Sequence, residues 1–281
     1  MKRILTLPAS LTLLALISAF AAPAMAQTPP AAPEAAPVSA PLTANIGLFS
    51  SYRFRGIDQT YGKPALQGGF DYAHDSGFYV GNWNSNVSSG AGYPGGNLEM
   101  DFYGGFKKAF GDFGIDVGAL YYYYPGSEAR PVSGSRNSGT VDNKELYIAG
   151  SWKTISLKWS YALDDYFAAR GTNGERTRGS NYLDLTGTHD LGSGWGVVGH
   201  VGHLDFKNYT NGSYTDWKLG VTKDLSGWVL GLSYIDTSAK GSCATTQPYC
   251  LSNSMSDTGT LGSKSRDAGK ATAVLSISRT F

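Results

Sequence analysis

The segment Leu42-Thr43-Ala44-Asn45-Ile46-Gly47-Leu48 decides how the chain is read. Leu42, Ala44, Ile46 and Leu48 alternate with Thr43, Asn45 and Gly47, and a period of two is that of an extended strand with unlike faces. Tyr52 and Phe54 prolong the apolar face, while Ser51, Arg53 and Arg55 prolong the polar one. The pattern recurs: Leu66, Phe70 and Tyr72 oppose Gln67, Asp71 and Ala73, and Tyr79, Trp83 and Val87 oppose Asn82, Asn84 and Asn86. Leu98, Met100, Phe102 and Phe106 oppose Glu99, Asp101 and Lys107; Leu157, Trp159, Tyr161 and Leu163 oppose Lys158, Ser160 and Asp164; Trp217, Leu219 and Val221 oppose Asp216, Lys218 and Thr222. The chain predicts twelve strands, near 42–55, 63–73, 78–88, 97–108, 113–124, 143–152, 155–165, 180–189, 195–206, 214–223, 228–237 and 270–281. The fifth, ninth and eleventh alternate least regularly.

The connections carry as much information as the strands. Tight turns at 74–77, 110–112, 153–154, 190–194 and 224–227 alternate with longer polar loops at 56–62, 89–96, 125–142, 166–179, 207–213 and 238–269. Such a strict series is that of an up-and-down antiparallel outer-membrane β-barrel, with short periplasmic turns and long extracellular loops. A soluble sandwich or lipocalin-like barrel also alternates, but it buries its apolar face. Against that, bulky aromatics gather at strand ends (Tyr52, Phe54, Tyr72, Phe78, Tyr79, Tyr121 to Tyr124, Trp152, Trp195, Trp228), as interfacial girdles do. Gly68, Gly81 and Gly104 also thin the bulky face, which a close-packed core tolerates poorly.

The 281 residues include 37 Gly, 18 Tyr, 12 Phe and 6 Trp, with 41% hydrophobic and only 16% charged residues. This balance excludes a disordered chain and fits many short strands and turns. Net charge is +1, so no basic field exists to hold nucleic acid. Met1-Lys2-Arg3, the apolar stretch from Ile4 to Ala22 and the small residues of Ala24-Met25-Ala26 form a secretory signal peptide, residues 1–26. A Pro/Ala-rich flexible linker, 27–41, leads to the barrel at 42–281. At the other end Ala271, Ala273, Leu275 and Ile277 alternate with Thr272, Ser276 and Ser278 up to the terminal Phe281, the form of strand that barrel assembly machinery reads. Arg279 departs from that form, though its aliphatic stem can snorkel to the rim.

Ser51-Tyr52-Arg53-Phe54-Arg55-Gly56-Ile57, followed by Gly62-Lys63-Pro64-Ala65-Leu66-Gln67-Gly68-Gly69-Phe70-Asp71-Tyr72, resembles the N-terminal signature of the TorF family of proteobacterial outer-membrane porins. The likeness continues through Gly77 to Trp83, Glu99 to Gly105, His200 to Phe206 and Ser276 to Phe281. The resemblance implies a Gram-negative outer-membrane barrel and a channel. It brings no substrate and no functional residues.

Other chemistry is thin. Gly194-Trp195-Gly196-Val197-Val198-Gly199 matches a dinucleotide fingerprint but follows a turn and opens an alternating strand, where no helix N-terminus receives a pyrophosphate. His200 and His203 are three apart, so on a strand they point to opposite faces and share no metal. No Ser/His signature of a barrel lipase is visible locally. No enzyme activity and no cofactor are expected. Cys243 and Cys250, close together in an exported chain, predict a disulfide.

Function is expected in the lumen. The inward set is acidic at Asp71, Glu99, Asp101, Asp116, Glu145, Asp164, Asp184 and Asp216, and basic at Arg53, Arg55, Lys107, Lys158 and Lys218. Open, such a lumen favours cations weakly; the alternative is that these charges pair across a narrow barrel and block it. Twelve strands lie between filled eight-stranded barrels and wide sixteen-stranded porins. The reading is therefore a monomeric barrel for diffusion of ions or small solutes, embedded in outer-membrane lipid, with loop 238–269 turned inward as a constriction. A non-conducting barrel working through its outer loops is the alternative.

Overall fold

A computed structural model of the chain describes residues 41–129, 139–245 and 247–281. The expected leader and linker lie outside them except for Pro41, whose carbonyl accepts the Ala73 amide at 2.8 Å. Twelve antiparallel strands form one closed barrel. They are β1 Leu42–Phe49, β2 Ala65–Ala73, β3 Phe78–Asn86, β4 Leu98–Phe110, β5 Phe113–Ala129, β6 Gly139–Trp152, β7 Ile155–Ala162, β8 Asn181–Gly192, β9 Trp195–Asp205, β10 Tyr214–Leu225, β11 Trp228–Thr237 and β12 Thr272–Thr280. Each strand pairs with its neighbours in sequence, and β1 closes the ring on β12 from Asn45↔Thr280 to Phe49↔Ser276. Phe281 and Ala44 exchange backbone bonds at 2.8 and 3.1 Å, which completes the seam.

The tight turns lie on one rim with the Leu42 and Phe281 ends, and the long loops on the other. Ser193-Gly194 and Ser226-Gly227 have positive φ at both positions, the two-residue hairpin form whose twist matches the strands it joins. The fifth expected strand runs five residues beyond position 124 and the sixth starts four before 143, so the hairpin β5–β6 is longer than the alternation foretold.

The outer surface is apolar. Leu48, Leu66, Phe70, Ile115, Ile148, Leu157, Leu185, Leu219, Leu232 and Leu275 all project outward and exposed. Tyr72, Phe78, Trp152, Trp195 and Trp228 ring the turn rim, while Trp159, Tyr161 and Trp217 stand toward the loop rim. A continuous apolar belt of this extent suits hydrocarbon, not water. Arg279 stands on the outer face with its guanidinium over Trp228 and Phe281, 5.4 and 5.2 Å from their centroids, so its stem snorkels at the rim.

Two expectations of facing are corrected. On β3 the bulky residues turn inward: Trp83 is buried and Tyr79 half-buried, while Phe78, Val80, Asn82, Asn84 and Asn86 face out. Tyr52 and Phe54 are no girdle. The first strand stops at Phe49 rather than 55, and the chain then turns into the barrel and buries both rings. Tyr79, Tyr122 and Tyr124 also point inward. The physical reason is that this lumen is filled, so bulk is needed on both faces of the sheet.

Leu157 on β7 and Leu219 on β10 test the belt. Arginine at either site, near the midplane, should cost about 2–4 kcal/mol. The folded fraction in lipid vesicles, read from heat-modifiable gel mobility, should drop for both; no change in either places these residues away from lipid.

Candidate functional site

The inward face is built layer by layer. In the half near the tight turns, tyrosines lie across glycines of the neighbouring strand. Tyr103 packs over Gly81, Tyr79 over Gly105 and Tyr147 over Gly118, all directly paired in register; nearer the loops, Tyr182 reaches diagonally over Gly202, two residues from its own partner Leu204. A side chain at any of these glycines would strike a ring. The glycines therefore make room for aromatic bulk in the lumen; Gly81 faces inward, while Gly68 and Gly104 lie on the outer face.

These tyrosines bind the acidic residues of the expected set. Asp71 accepts the Tyr103 hydroxyl at 2.5 Å, and Asp116 accepts Tyr79 at 2.6 Å, with the Tyr79 and Tyr147 hydroxyls in direct contact. Lys158 sits 4.0 Å above the Tyr147 ring and Lys107 5.4 Å above Tyr79. On the opposite wall His200 stands between two carboxylates, 2.9 Å from Asp216 and 3.4 Å from Asp184. Tyr182 donates to Asp216 at 2.8 Å, Thr186 to Asp184 at 2.7 Å, and Lys218 lies beside His200 in register. His203, three residues on, faces outward and meets Thr215.

Toward the long loops the lumen is closed by the chain itself. The first loop, 50–64, folds inward through a short hairpin of Arg53–Phe54 with Ile57–Asp58. At its tip Arg55 makes a bidentate ion pair with Glu145 of β6, at 3.0 and 2.8 Å, and a third bond to the Tyr166 hydroxyl at 2.8 Å. Its guanidinium also lies 4.3 Å over Tyr182 of β8. Arg55 thus bridges the barrel from β6 to β8. Burial alone would depress its guanidinium, but the Glu145 carboxylate outweighs that and raises it well above its ordinary value. Asn143 and Tyr122 complete the shell of Glu145 at 3.0 and 3.5 Å.

Aromatics pack around this plug. Phe54 meets Tyr122 and Phe167 edge-on, and Tyr93 stacks on Tyr124 at 4.0 Å. Tyr52 donates to Glu99 at 2.9 Å. The second oxygen of Glu99 and Oδ1 of Asp101 meet no donor among the described residues, although both side chains are buried. Over the plug lies the last loop, 238–271. Its Ala268 and Lys270 carbonyls accept Arg53 at 3.0 and 3.3 Å, and Ser88 and Ser89 bond it to the loop at 87–97. Cys243 and Cys250 are joined as a disulfide within it. The inward element is therefore the first loop; the loop expected to form the constriction covers it instead.

Arg53, Arg55, Asp71, Glu99, Asp101, Lys107, Asp116, Glu145, Lys158, Asp184, Asp216 and Lys218 are all placed inside, the two arginines by the plug and not by a strand. Asp164 is the exception. It lies past the end of β7 and pairs at 2.8 Å with Lys144, which stands on the exposed outer face of β6. The tyrosines escaped sequence reasoning because alternation equates bulk with the outside; for Tyr79, Tyr103 and Tyr147 a glycine directly opposite was the signal. Among the described residues no group of three or more His, Cys, Asp or Glu is arranged to hold a metal.

The ion pair makes a quantitative test. Glu145→Ala leaves Arg55 buried and uncompensated and should cost about 3–5 kcal/mol, whereas replacing both by methionine should recover most of it. Denaturant unfolding of the folded barrel in detergent measures both. Equal stability of wild type and Glu145→Ala contradicts the pairing.

Several solved structures are similar to the chain. The KdgM porin shares 8% identity at a TM-score of 0.47, with 85% of this chain and 98% of that chain covered. The NanC porin shares 11% at 0.46 with the same coverage, and OccK2 (OpdF) of Pseudomonas aeruginosa shares 12% at 0.38, covering 88% of this chain and 68% of that one. No curated protein matches. Residues 31–281 match the profile described as "Bacterial protein of unknown function (Gcw_chp)", and the chain belongs to that family.

Proposed function

We propose that the protein is an outer-membrane channel of a Gram-negative bacterium for ions and small hydrophilic solutes, shut in this conformation by its first loop. The observation that carries this reading is the polar construction of the plug. Arg55, Glu145, Tyr166 and Asn143 hold it by ion pairing and hydrogen bonds, contacts that water replaces far more readily than an apolar core. Phe49 pairs directly with Ala65, so the strands flanking the loop hold their register without it. The apolar belt, the aromatic rim and the likeness to TorF porins support the membrane location. The C-terminal strand ending at Phe281 would engage the barrel assembly machinery, outer-membrane lipid would cover the belt, and neither nucleic acid nor an enzymatic reaction belongs to this reading.

Opening sets the selectivity. With the plug seated, seven inward carboxylates of the wall (71, 99, 101, 116, 145, 184 and 216) and Asp58 of the plug, which pairs with Arg53, face five Arg and Lys residues. Withdrawing the plug removes Arg53, Arg55 and Asp58, leaving seven against Lys107, Lys158 and Lys218. An open lumen of this sign prefers cations. Glu99 and Asp101, without a basic partner among the described residues, would be the first groups a cation meets.

A second reading has one observation in its favour: the loop half is packed dry, with Tyr52, Tyr122, Tyr124 and Tyr182 each 1% exposed. A barrel that never opens would act through its outer loops. Planar-bilayer recording separates the two. Wild type should be mostly silent with brief openings, and a variant with residues 51–63 replaced by a short Gly-Ser turn should conduct steadily, its reversal potential in a salt gradient directed toward cations. Anion-directed current discards the lumen charges as the filter; silence from the folded, plugless variant discards the channel.

A further inference from the structure

The outer face of β3 is unlike the rest of the belt. Its three successive outward positions beyond Val80 are Asn82, Asn84 and Asn86. Their neighbours on β2 and β4 are apolar: Phe70 and Phe102 flank Asn82, and Met100 flanks Asn84, with Gly68 on its other side. An amide facing hydrocarbon is costly unless each of its donors and acceptors is met.

Asn86 is internally paired: its Oδ1 accepts the Leu66 amide at 2.7 Å and its Nδ2 donates to the Pro64 carbonyl at 3.2 Å. Asn84 spends both amide hydrogens, on Asn82 Oδ1 at 2.6 Å and on the Gly68 carbonyl at 3.3 Å. Asn82 spends one, on the Asp101 carbonyl at 2.9 Å. Among the described residues that leaves one donor on Asn82 and one acceptor, Oδ1 of Asn84, at the surface. Gly68 adds no side chain beside them, so another backbone can come close.

We propose that this face is the interface of a homodimer, two copies packed through β3 about a two-fold axis along the membrane normal. Two copies inserted from the same side and related by this axis meet through the same patch, so the interface must satisfy itself. The Asn82–Asn84 pair does so: the Asn82 donor of one copy meets the Asn84 oxygen of the other, and the same bond forms in reverse. A lipid tail offers neither partner. The chain is then not the solitary barrel its strand pattern implies, and the dimer is independent of whether the lumen conducts, requiring only membrane insertion.

Cysteine placement in native membranes tests it. Asn84→Cys should cross-link to a covalent dimer on oxidation, and Leu219→Cys on β10, far round the ring, should not. The double variant Asn82→Leu/Asn84→Leu removes the reciprocal bonds; dimer dissociation in detergent, followed by light scattering, should become about tenfold easier. The same variant should fold at least as well as wild type, since it only adds apolar surface to the belt. Equal cross-linking at positions 84 and 219, a cross-link only to a different protein, or an undiminished dimer in the leucine variant each overturns the proposal.

Discussion

A ring of twelve strands encloses more space than inward side chains of ordinary size fill, and the structure depends on how that space is used. Backbone pairing settles the wall, because every strand bonds both neighbours and no edge remains for lipid to meet. It does not settle the interior. Here the turn half is filled by tyrosines laid over glycines, and the loop half by a segment of the chain folded back inside. Filling with polar aromatics has a consequence: every hydroxyl and carboxylate taken from water needs a partner. Hence the Tyr–Asp pairs, the His200 bridge and the Arg55–Glu145 clamp form one arrangement rather than separate features.

The sequence revealed the wall well and the interior poorly, for one reason. Strand number, turn order and the outward residues of β2, β4, β7, β10 and β12 follow from period-two alternation, which a lipid-facing sheet enforces. Alternation carries no information about which apolar face lies outside once both faces are bulky. β3 shows this: Tyr79 and Trp83 looked outward by size, yet they fill the lumen while asparagines face out. The first loop failed differently. Its residues up to Arg55 keep the strand period, so it looked like more wall; the reversal that carries Arg55 inward is made by Arg55 and Gly56, at φ of +48° and +80°, and only the glycine marks it in the sequence. Asp164 kept the parity of an inward residue but lies past the last bonded pair of β7, where parity no longer orients a side chain.

The choice of an ion pair to seat the plug also has a physical logic. Apolar side chains in place of both Arg55 and Glu145 would pack against Phe54, Tyr122 and Tyr182 at no desolvation penalty and would hold at least as firmly. What the guanidinium adds is direction: a planar fork matched to one carboxylate fixes the depth and rotation of the loop. It also makes the seated state sensitive to charge in the lumen. A plug held by packing alone would respond only to forces that separate apolar surfaces, whereas this one competes with whatever ion or dipole reaches Glu145.

β3 couples the inner face of the barrel to the outer one. On a strand, parity binds the two faces together: placing Trp83 inward, where its ring meets Tyr52 of the plug at 5.5 Å, fixes positions 82 and 84 outward. Leucine at those outward positions would satisfy lipid without disturbing Trp83, so the inward demand does not explain the asparagines. Nor does local strand pairing, since the ladder bonds of β3 to β2 and β4 are made by backbone regardless of side chain. What remains is a requirement from beyond the barrel's own surface, and a self-complementary amide pair at fixed depth is what a second barrel of the same kind would require.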